Sequence, residues 1–382
     1  MSNYFEAYDW ETMLNANEPR SPQYYSIEKY HRILCPQRPA FLDPYLELPL
    51  LKRLKGIGLL CGTDWTPLYK NRFYYSRLDH SLGVALIIWN FTHDKAQTIA
   101  GLLHDVSTPV FSHVSDFRKG DALTQTATEE DNKSLVHKDT ELARLLAKDG
   151  LTIEEVEDYH KYPVADNEIP CLSADRLEYM YPSGMALDGS WDLDSIKKTY
   201  ENIRVLKNEK GIDELGFTDQ TIALDYCRHF CMIGHILQLN ENKLTLHLLG
   251  QIMNRAVELG ILQEADFMKK SEREIMEELS LRQAQGPHDK AQGPHDKAQR
   301  ELFRLYQTFR TMTKIEHTPA PLDPEQYFCI SLKVKQRYIN PLVGSGKRLY
   351  DLSAEARRII DDFLSYSDSP YGSVRLVNSI KH

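Results

Sequence analysis

Apolar residues recur at helical spacing through most of this chain. After Ser81 the text runs Leu-Gly-Val-Ala-Leu-Ile-Ile-Trp89, and past the polar break Thr92-His-Asp-Lys95 it resumes as Ala96-Gln-Thr-Ile-Ala-Gly-Leu-Leu103. Two runs this apolar predict buried helices, and the short break predicts an antiparallel hairpin with Asp94 as N-cap of the second helix. Residues 40–200 read as mostly helical. Residues 213–280 read the same way, with Phe230, Ile233 and Leu237 at amphipathic spacing. Asp351 to Tyr366 is a last amphipathic helix. Between them the pattern changes: Tyr327-Phe-Cys-Ile-Ser-Leu-Lys-Val-Lys335 is rich in β-branched and aromatic residues, which predicts a strand near 326–343. Val343-Gly-Ser-Gly-Lys347 lacks the spacing of a phosphate loop and reads as a turn.

Three stretches break the helical text. Residues 1–35 form a polar, aromatic arm suited to packing on the core or on a partner chain. Asp121 to Lys133 is a threonine- and acid-rich loop, either a lid or a surface excursion. Residues 284–297 are a perfect tandem repeat, Ala-Gln-Gly-Pro-His-Asp-Lys twice over. Gly-Pro cannot continue a helix interior, so the repeat reads as an in-frame duplication inserted in a helix or at a helix turn. The division that follows is an arm at 1–35, a core at 36–205 and a mostly helical C-terminal region at 206–382.

Charge and composition narrow the function. The 382 residues are 42% hydrophobic, enough for a large core, and carry a net charge of −9, which argues against binding long nucleic acid. Six scattered cysteines without a CxxC pair read as reduced thiols. The N-terminus shows no signal peptide and no run reaches membrane-spanning length, so the expected place is the cytoplasm. Cys227, Cys231 and His235 share one helix face in apolar surroundings and read as core. Lys333, Lys335, Arg337, Lys347 and Arg348 form a locally basic cluster, read as a solvated face.

The chemistry concentrates at the hairpin. His80 stands at the start of the first helix and His104-Asp105 at the end of the second, so an antiparallel pair brings them together. Asp175, in Leu172-Ser-Ala-Asp-Arg-Leu-Glu-Tyr179, is placed on a later helix and closes the fourth side. Neutral imidazoles with carboxylates suit one divalent transition metal; Fe, Mn, Ni, Co and Zn all fit, with Mg as an ion arriving with substrate. A metal so held, with open positions, activates water. His-Asp alone says little, since it also occurs at His93, His288 and His295.

Arg77-Leu-Asp-His80-Ser-Leu-Gly-Val, Ala100-Gly-Leu-Leu-His-Asp-Val-Ser-Thr-Pro-Val-Phe-Ser-His113 and Asp175-Arg-Leu-Glu-Tyr179 appear in the order and separation found in a known family. Over about residues 30 to 185 the chain resembles the HD-domain metal-dependent phosphohydrolases, most closely their deoxynucleoside triphosphate triphosphohydrolase branch. The resemblance implies a mainly α fold: a helical HD-domain core followed by a helical region with a small β element. It implies His80, His104, Asp105 and Asp175 as metal ligands. It places His113, Asp116 and His137 as orienting and acid/base residues beside the scissile phosphate. Arg77, Lys52 and Arg176 would offset phosphate charge, and Tyr179 would line the substrate pocket. The chain departs from the branch at three points. Thr108 replaces a histidine, Lys52 stands where a sugar-reading glutamine is expected, and no arginine follows Tyr179.

The expected function is a metal-dependent phosphohydrolase acting on a nucleotide or another small phosphorylated metabolite. The alternative is a non-catalytic HD-domain protein that binds or senses a nucleotide. A phosphodiesterase or nuclease fits less well, because of the acidic charge and Thr108. A homo-oligomer is expected by analogy with relatives in the branch.

Overall fold

The computed structural model describes residues 26–120, 122–123, 132–285, 293–344 and 346–378. The rest of the arm, most of the 121–133 loop and the centre of the repeat lie outside the described residues. The fold is mainly α, with short strands in two small sheets. Among the described residues no helix is long and apolar enough to cross a membrane.

Helix α1 (Ile27–Leu34) packs on the core through Tyr30 and Leu34. The predicted hairpin is present as α2 (Arg77–Thr92) and α3 (Lys95–Leu103). Ser76 and Asp79 form a capping box at the start of α2, and the Asp94 carboxylate accepts the Gln97 N–H at 3.1 Å. Residues 84–88 of α2 are all buried, as expected of a helix with core on several sides. Helix α4 (Val114–Lys119) follows the motif loop, α5 (Asn132–Lys138) follows the acid-rich segment, and α6 (Ala174–Leu187) runs beside α2. Beyond them α7 (Gln220–Gln238) and α8 (Asn240–Glu258) form the second half of the core. Cys227, Cys231 and His235 are buried within it, with the His235 ring 3.9 Å from that of Tyr366.

The C-terminal strand near 326–343 is observed, but as two pieces in different sheets. β1 (Ile203–Lys207) and β2 (Asp213–Phe217) form an antiparallel hairpin, and β2 pairs in parallel with Leu342–Val343, which pairs with Lys347–Arg348. The other sheet sets Tyr371–Arg375 between Glu316–Thr318 and Tyr327–Ile330. The helical reading of 213–280 therefore needs correction at its start, where β2 occupies Asp213–Phe217. Strands this short carry little periodicity of their own, and β2 gains a distant partner in Leu342–Val343.

The two copies of the repeat separate two helices, α9 (Glu272–Gln285) and α10 (Pro294–Thr311), which are bonded to each other through Ser280 and Tyr306 at 2.7 Å. The duplication thus lies between two helices, not inside one. Its second copy starts α10: Pro294 occupies the first turn, and the Asp296 carboxylate accepts the Gly293 N–H at 3.0 Å.

One side chain ties the second sheet to the helices. His317 bonds Asp368 at 3.0 Å and Glu241 at 2.9 Å, and these two carboxylates push its pKa up to about 10. A folded-state pKa above the unfolded value of roughly 6.5 means the contribution is full below that value and is lost as pH rises toward about 10. The ring is over one-third exposed, so screening holds the effect to about 1 kcal/mol. His317→Gln is expected to lower the melting temperature at pH 6 and to leave it unchanged above pH 10. A difference that persists at high pH would show that packing, not charge, ties the sheet down.

Candidate metal centre and its cavity

The antiparallel hairpin does what the sequence predicts: it sets the start of α2 against the end of α3. His80, His104 and Asp105 present ligand atoms within 4.8 Å of one another. Asp175, in the first turn of α6, places Oδ1 at 3.1 Å from His80 Nε2 and 3.8 Å from His104 Nε2. Asp105 Oδ2 lies 3.8 and 3.6 Å from the same two nitrogens. All four side chains are at least four-fifths buried.

The other ring nitrogens are already engaged. His104 Nδ1 bonds the Gly101 carbonyl at 2.7 Å, and His80 Nδ1 meets Glu178 Oε2 at 2.5 Å. Those contacts direct both Nε2 atoms at the carboxylates, the arrangement that suits a divalent cation. Two imidazoles and two carboxylates form a borderline nitrogen and oxygen set, matching Fe, Mn, Ni, Co or Zn. Burial works against a charge on His80, but Glu178 and Asp175 overcome it and raise its pKa to about 10. Burial likewise opposes the negative charge of Asp175, yet the His80 ring brings it down to about 2. For Asp105 burial is outweighed by the Arg77 guanidinium and by the two imidazoles, which hold it far below the carboxylate range. Both carboxylates are therefore ionised as a metal needs, and the proton on His80 must leave for a cation to bind.

Glu178 is the residue that sequence reasoning missed. It is fully buried, one helical turn after Asp175, and Oε1 accepts hydrogen bonds from Tyr75 at 2.6 Å and Tyr30 at 3.2 Å. Gly83 makes room for it: a Cβ there would lie 2.4 Å from Glu178 Oε1. The spacing Asp175-x-x-Glu178 on one helix face was the available signal.

Arg77 donates to Asp105 Oδ2 at 2.9 Å and to Ser112 Oγ at 2.9 Å. Ser112 and Phe111 both have left-handed backbones (φ 53° and 62°), costing on the order of 1–3 kcal/mol each, and Ser112 Oγ is anchored on the Gly58 carbonyl at 3.1 Å. That strained turn keeps Arg77 beside the ligand. Thr108 does not leave a gap: its hydroxyl donates to Asp105 Oδ1 at 2.8 Å.

A cavity of about 810 Å³ opens from the donor set. His113 lines it and bonds the fully buried Asp116 at 2.9 Å through Nδ1, while burial lowers its pKa. Tyr179 and Arg176 also line it. Arg176 is committed to Asp166 at 3.2 Å and to the Cys171 carbonyl at 2.8 Å, so it braces the wall. Two expected residues are not brought here. Lys52 points outward to Glu47 at 2.5 Å, and its neighbour Arg53 turns inward to the Val106 carbonyl at 2.8 Å, since adjacent helical residues face different sides. His137 does not line the cavity; it is nearly half exposed and bonds Glu157 at 2.6 Å. Tyr159 and His160 occupy that side, with the Tyr159 ring 4.8 Å from His104. Of the basic cluster, Lys335 and Arg337 reach the cavity, whereas Arg348 is bound to Glu209 and Glu214.

No family model matches the chain. The metal-dependent phosphohydrolase cns2 of Cordyceps militaris is 24% identical over 250 residues, 64% of this chain and 69% of that protein. The uncharacterized protein YdhJ of Bacillus subtilis is 32% identical over 139 residues, 36% of this chain and 41% of that one. Among solved structures, a phosphohydrolase from Bacteroides thetaiotaomicron matches with a TM-score of 0.55 at 14% identity, over 90% of this chain and 96% of the other. A hypothetical protein from Aquifex aeolicus matches with a TM-score of 0.54 at 17% identity, over 89% and 93%. The fold is shared with these structures.

Proposed function

We infer that this chain, a homologue of a metal-dependent phosphohydrolase with the fold of a solved phosphohydrolase, is itself such an enzyme and acts on a small phosphorylated metabolite, a nucleotide foremost. The observation that carries the reading is the buried set of His80, His104, Asp105 and Asp175 at the end of a cavity of substrate size. A divalent cation bound there supplies Lewis acidity toward a phosphoryl oxygen and lowers the pKa of water. The remaining work falls to the chain. Glu178 and the Gly101 carbonyl orient the two imidazoles. Arg77 fixes Asp105 and adds positive charge at the phosphate end. Asp116 holds His113 Nδ1, leaving Nε2 to take up and return a proton, and a lowered pKa keeps that imidazole neutral at pH 7.

The test is elemental analysis of the purified protein with a phosphate-release screen over nucleotides and small phosphoesters, with Mn, Ni, Co, Fe or Mg added. About one transition metal per chain and a hydrolysed substrate are expected, one ion being what a four-ligand His/carboxylate site holds. Metal without turnover would favour the non-catalytic nucleotide-binding alternative. No metal bound, and none taken up, would remove the basis of both.

A further inference from the structure

Glu272, the first residue of α9, is a carboxylate with 1% exposure that no step above employs. Its two oxygens accept from the Gly58 N–H at 2.9 Å and from the Trp65 indole N–H at 2.7 Å. Burying a carboxylate is costly, yet an amide would offer a single acceptor oxygen to these two donors. The start of α9 lies close against the chain at 56–58. A Cβ on Gly56 would lie 2.6 Å from Ser271 Cβ, and one on Gly58 would lie 3.4 Å from Glu272 Oε2.

Gly58 is the middle of a brace on the metal centre. On either side of it the Ile57 carbonyl accepts the Arg77 N–H at 2.8 Å and the Leu59 N–H donates to the Tyr75 carbonyl at 2.9 Å, which holds the start of α2. Its own carbonyl accepts Ser112 Oγ at 3.1 Å, and Ser112 Oγ accepts Arg77 Nε at 2.9 Å. Arg77 then donates to Asp105 Oδ2 at 2.9 Å. A run of buried hydrogen bonds thus leads from α9, in the C-terminal half of the chain, to a candidate metal donor. Groups that orient a donor from outside the donor set tune what the set binds.

We propose that Glu272 is a positioning residue for the metal centre: it fixes Gly58, and through Gly58 and Ser112 it holds Arg77 against Asp105. The proposal rests on the phosphohydrolase reading for the part Arg77 plays at the phosphate, whereas its effect on Asp105 shows in metal binding alone.

The carboxyl also titrates where the proposal can be tested. Burial raises its pKa to about 7; the Trp65 and Gly58 bonds oppose the rise, and Asp64 adds to it. Tyr74 and Cys61 act on it as well, both kept neutral by burial. Arg273 follows it on α9, and the Arg310 guanidinium of α10 stands 5.7 Å over the Trp65 ring. From pH 6 to pH 8 the carboxyl passes from neutral to charged. The neutral form carries a proton on one oxygen and grips its donors as weakly as an amide does, while the charged form binds both more strongly.

The experiment uses the full chain as wild type, Glu272→Gln, Ser112→Ala, the double variant and Trp65→Phe. It measures manganese affinity by isothermal titration, kcat for phosphate release from p-nitrophenyl phosphate with manganese loaded, and the thermal midpoint, at pH 6 and pH 8. Glu272→Gln is expected to lose about 3- to 10-fold in affinity and in kcat at pH 8, and less than about twofold at pH 6, the worth of one hydrogen bond. Comparing variant with wild type at each pH cancels His80 and His113, which both proteins share. With Ser112→Ala already in place, Glu272→Gln is expected to change either quantity by less than about twofold, because the path is cut. Trp65→Phe removes the other bond to the same carboxylate and leaves the path intact. It is expected to lower the midpoint and to keep affinity and kcat within about twofold. Additive losses in the double variant, a ratio that does not move with pH, or an equal loss in Trp65→Phe overturns the proposal and leaves Glu272 a residue of the fold. If the wild type binds manganese without releasing phosphate, the phosphohydrolase reading is what fails, and manganese affinity decides the proposal by the same three comparisons. If it binds no manganese, both fall.

Discussion

Asp105→Ala is expected to empty the metal centre and to cut turnover on the order of a thousandfold or more. Asp105 is the one carboxylate that faces both imidazole Nε2 atoms while receiving Arg77 and Thr108 on its two oxygens. A catalytic cation supplies several kcal/mol of charge stabilisation at a phosphoryl group, and about 4 kcal/mol is a factor of a thousand. The substitution also leaves the Arg77 guanidinium buried without its counter-charge, which costs about 3–5 kcal/mol of stability. Asp105→Asn separates the two effects. It keeps a hydrogen-bond acceptor for Arg77 and so most of the stability, yet it offers a neutral oxygen to the metal. Metal content, denaturant midpoint and phosphate release measured on both variants give the answer. Phosphate release undiminished in repurified Asp105→Ala would show that the chemistry happens elsewhere.

Glu178→Gln is expected to weaken metal binding or activity 10- to 100-fold although residue 178 lies outside the donor set. The carboxylate fixes the His80 ring and accepts from two tyrosines, and an amide must give up one of those three contacts. The pH dependence of metal uptake supplies a second readout. With Glu178 in place His80 holds its proton up to about pH 10, so the cation competes with a proton and binds more tightly as pH rises. Removing the negative charge releases that proton earlier. The pH at which uptake levels off should therefore move down, even as the limiting affinity falls. Isothermal titration with manganese across pH 6 to 9 measures the affinity and its rise with pH, which should be shallower in the variant; a variant with unchanged affinity and unchanged pH dependence would reduce Glu178 to a packing residue.

The four candidate donors were legible because the site is assembled locally. Three of them flank a hairpin whose caps and apolar runs are plain in the text, and the fourth opens a later helix. Glu178 was not, since a carboxylate in the first turns of a helix usually serves solvent or the helix dipole; only the Gly83 contact and the Tyr30 and Tyr75 bonds make it interior. Lys52 faces solvent, and one position on a helix changes the face, since its neighbour Arg53 turns to the Val106 carbonyl. His137 stands outside the cavity for a different reason. It follows a long loop, where register cannot be carried from one motif to the next, and the cavity wall there is built by Tyr159 and His160 instead. The opposite wall, from Ile236 to Leu246 and from Val334 to Arg337, is contributed by distant sequence, so no local pattern announces it. The hairpin at 203–217 was hidden likewise, its strands stabilised by partners as far away as Leu342.

The heptapeptide duplication carries its own helix start, in that Gly293, Pro294 and Asp296 of the second copy begin α10. Loss of one copy would leave the same signal directly after α9, and gain of another would only lengthen a connection, at about 0.6 kcal/mol for each doubling. The donor set, anchored on α2, α3 and α6, takes no residue from that joint.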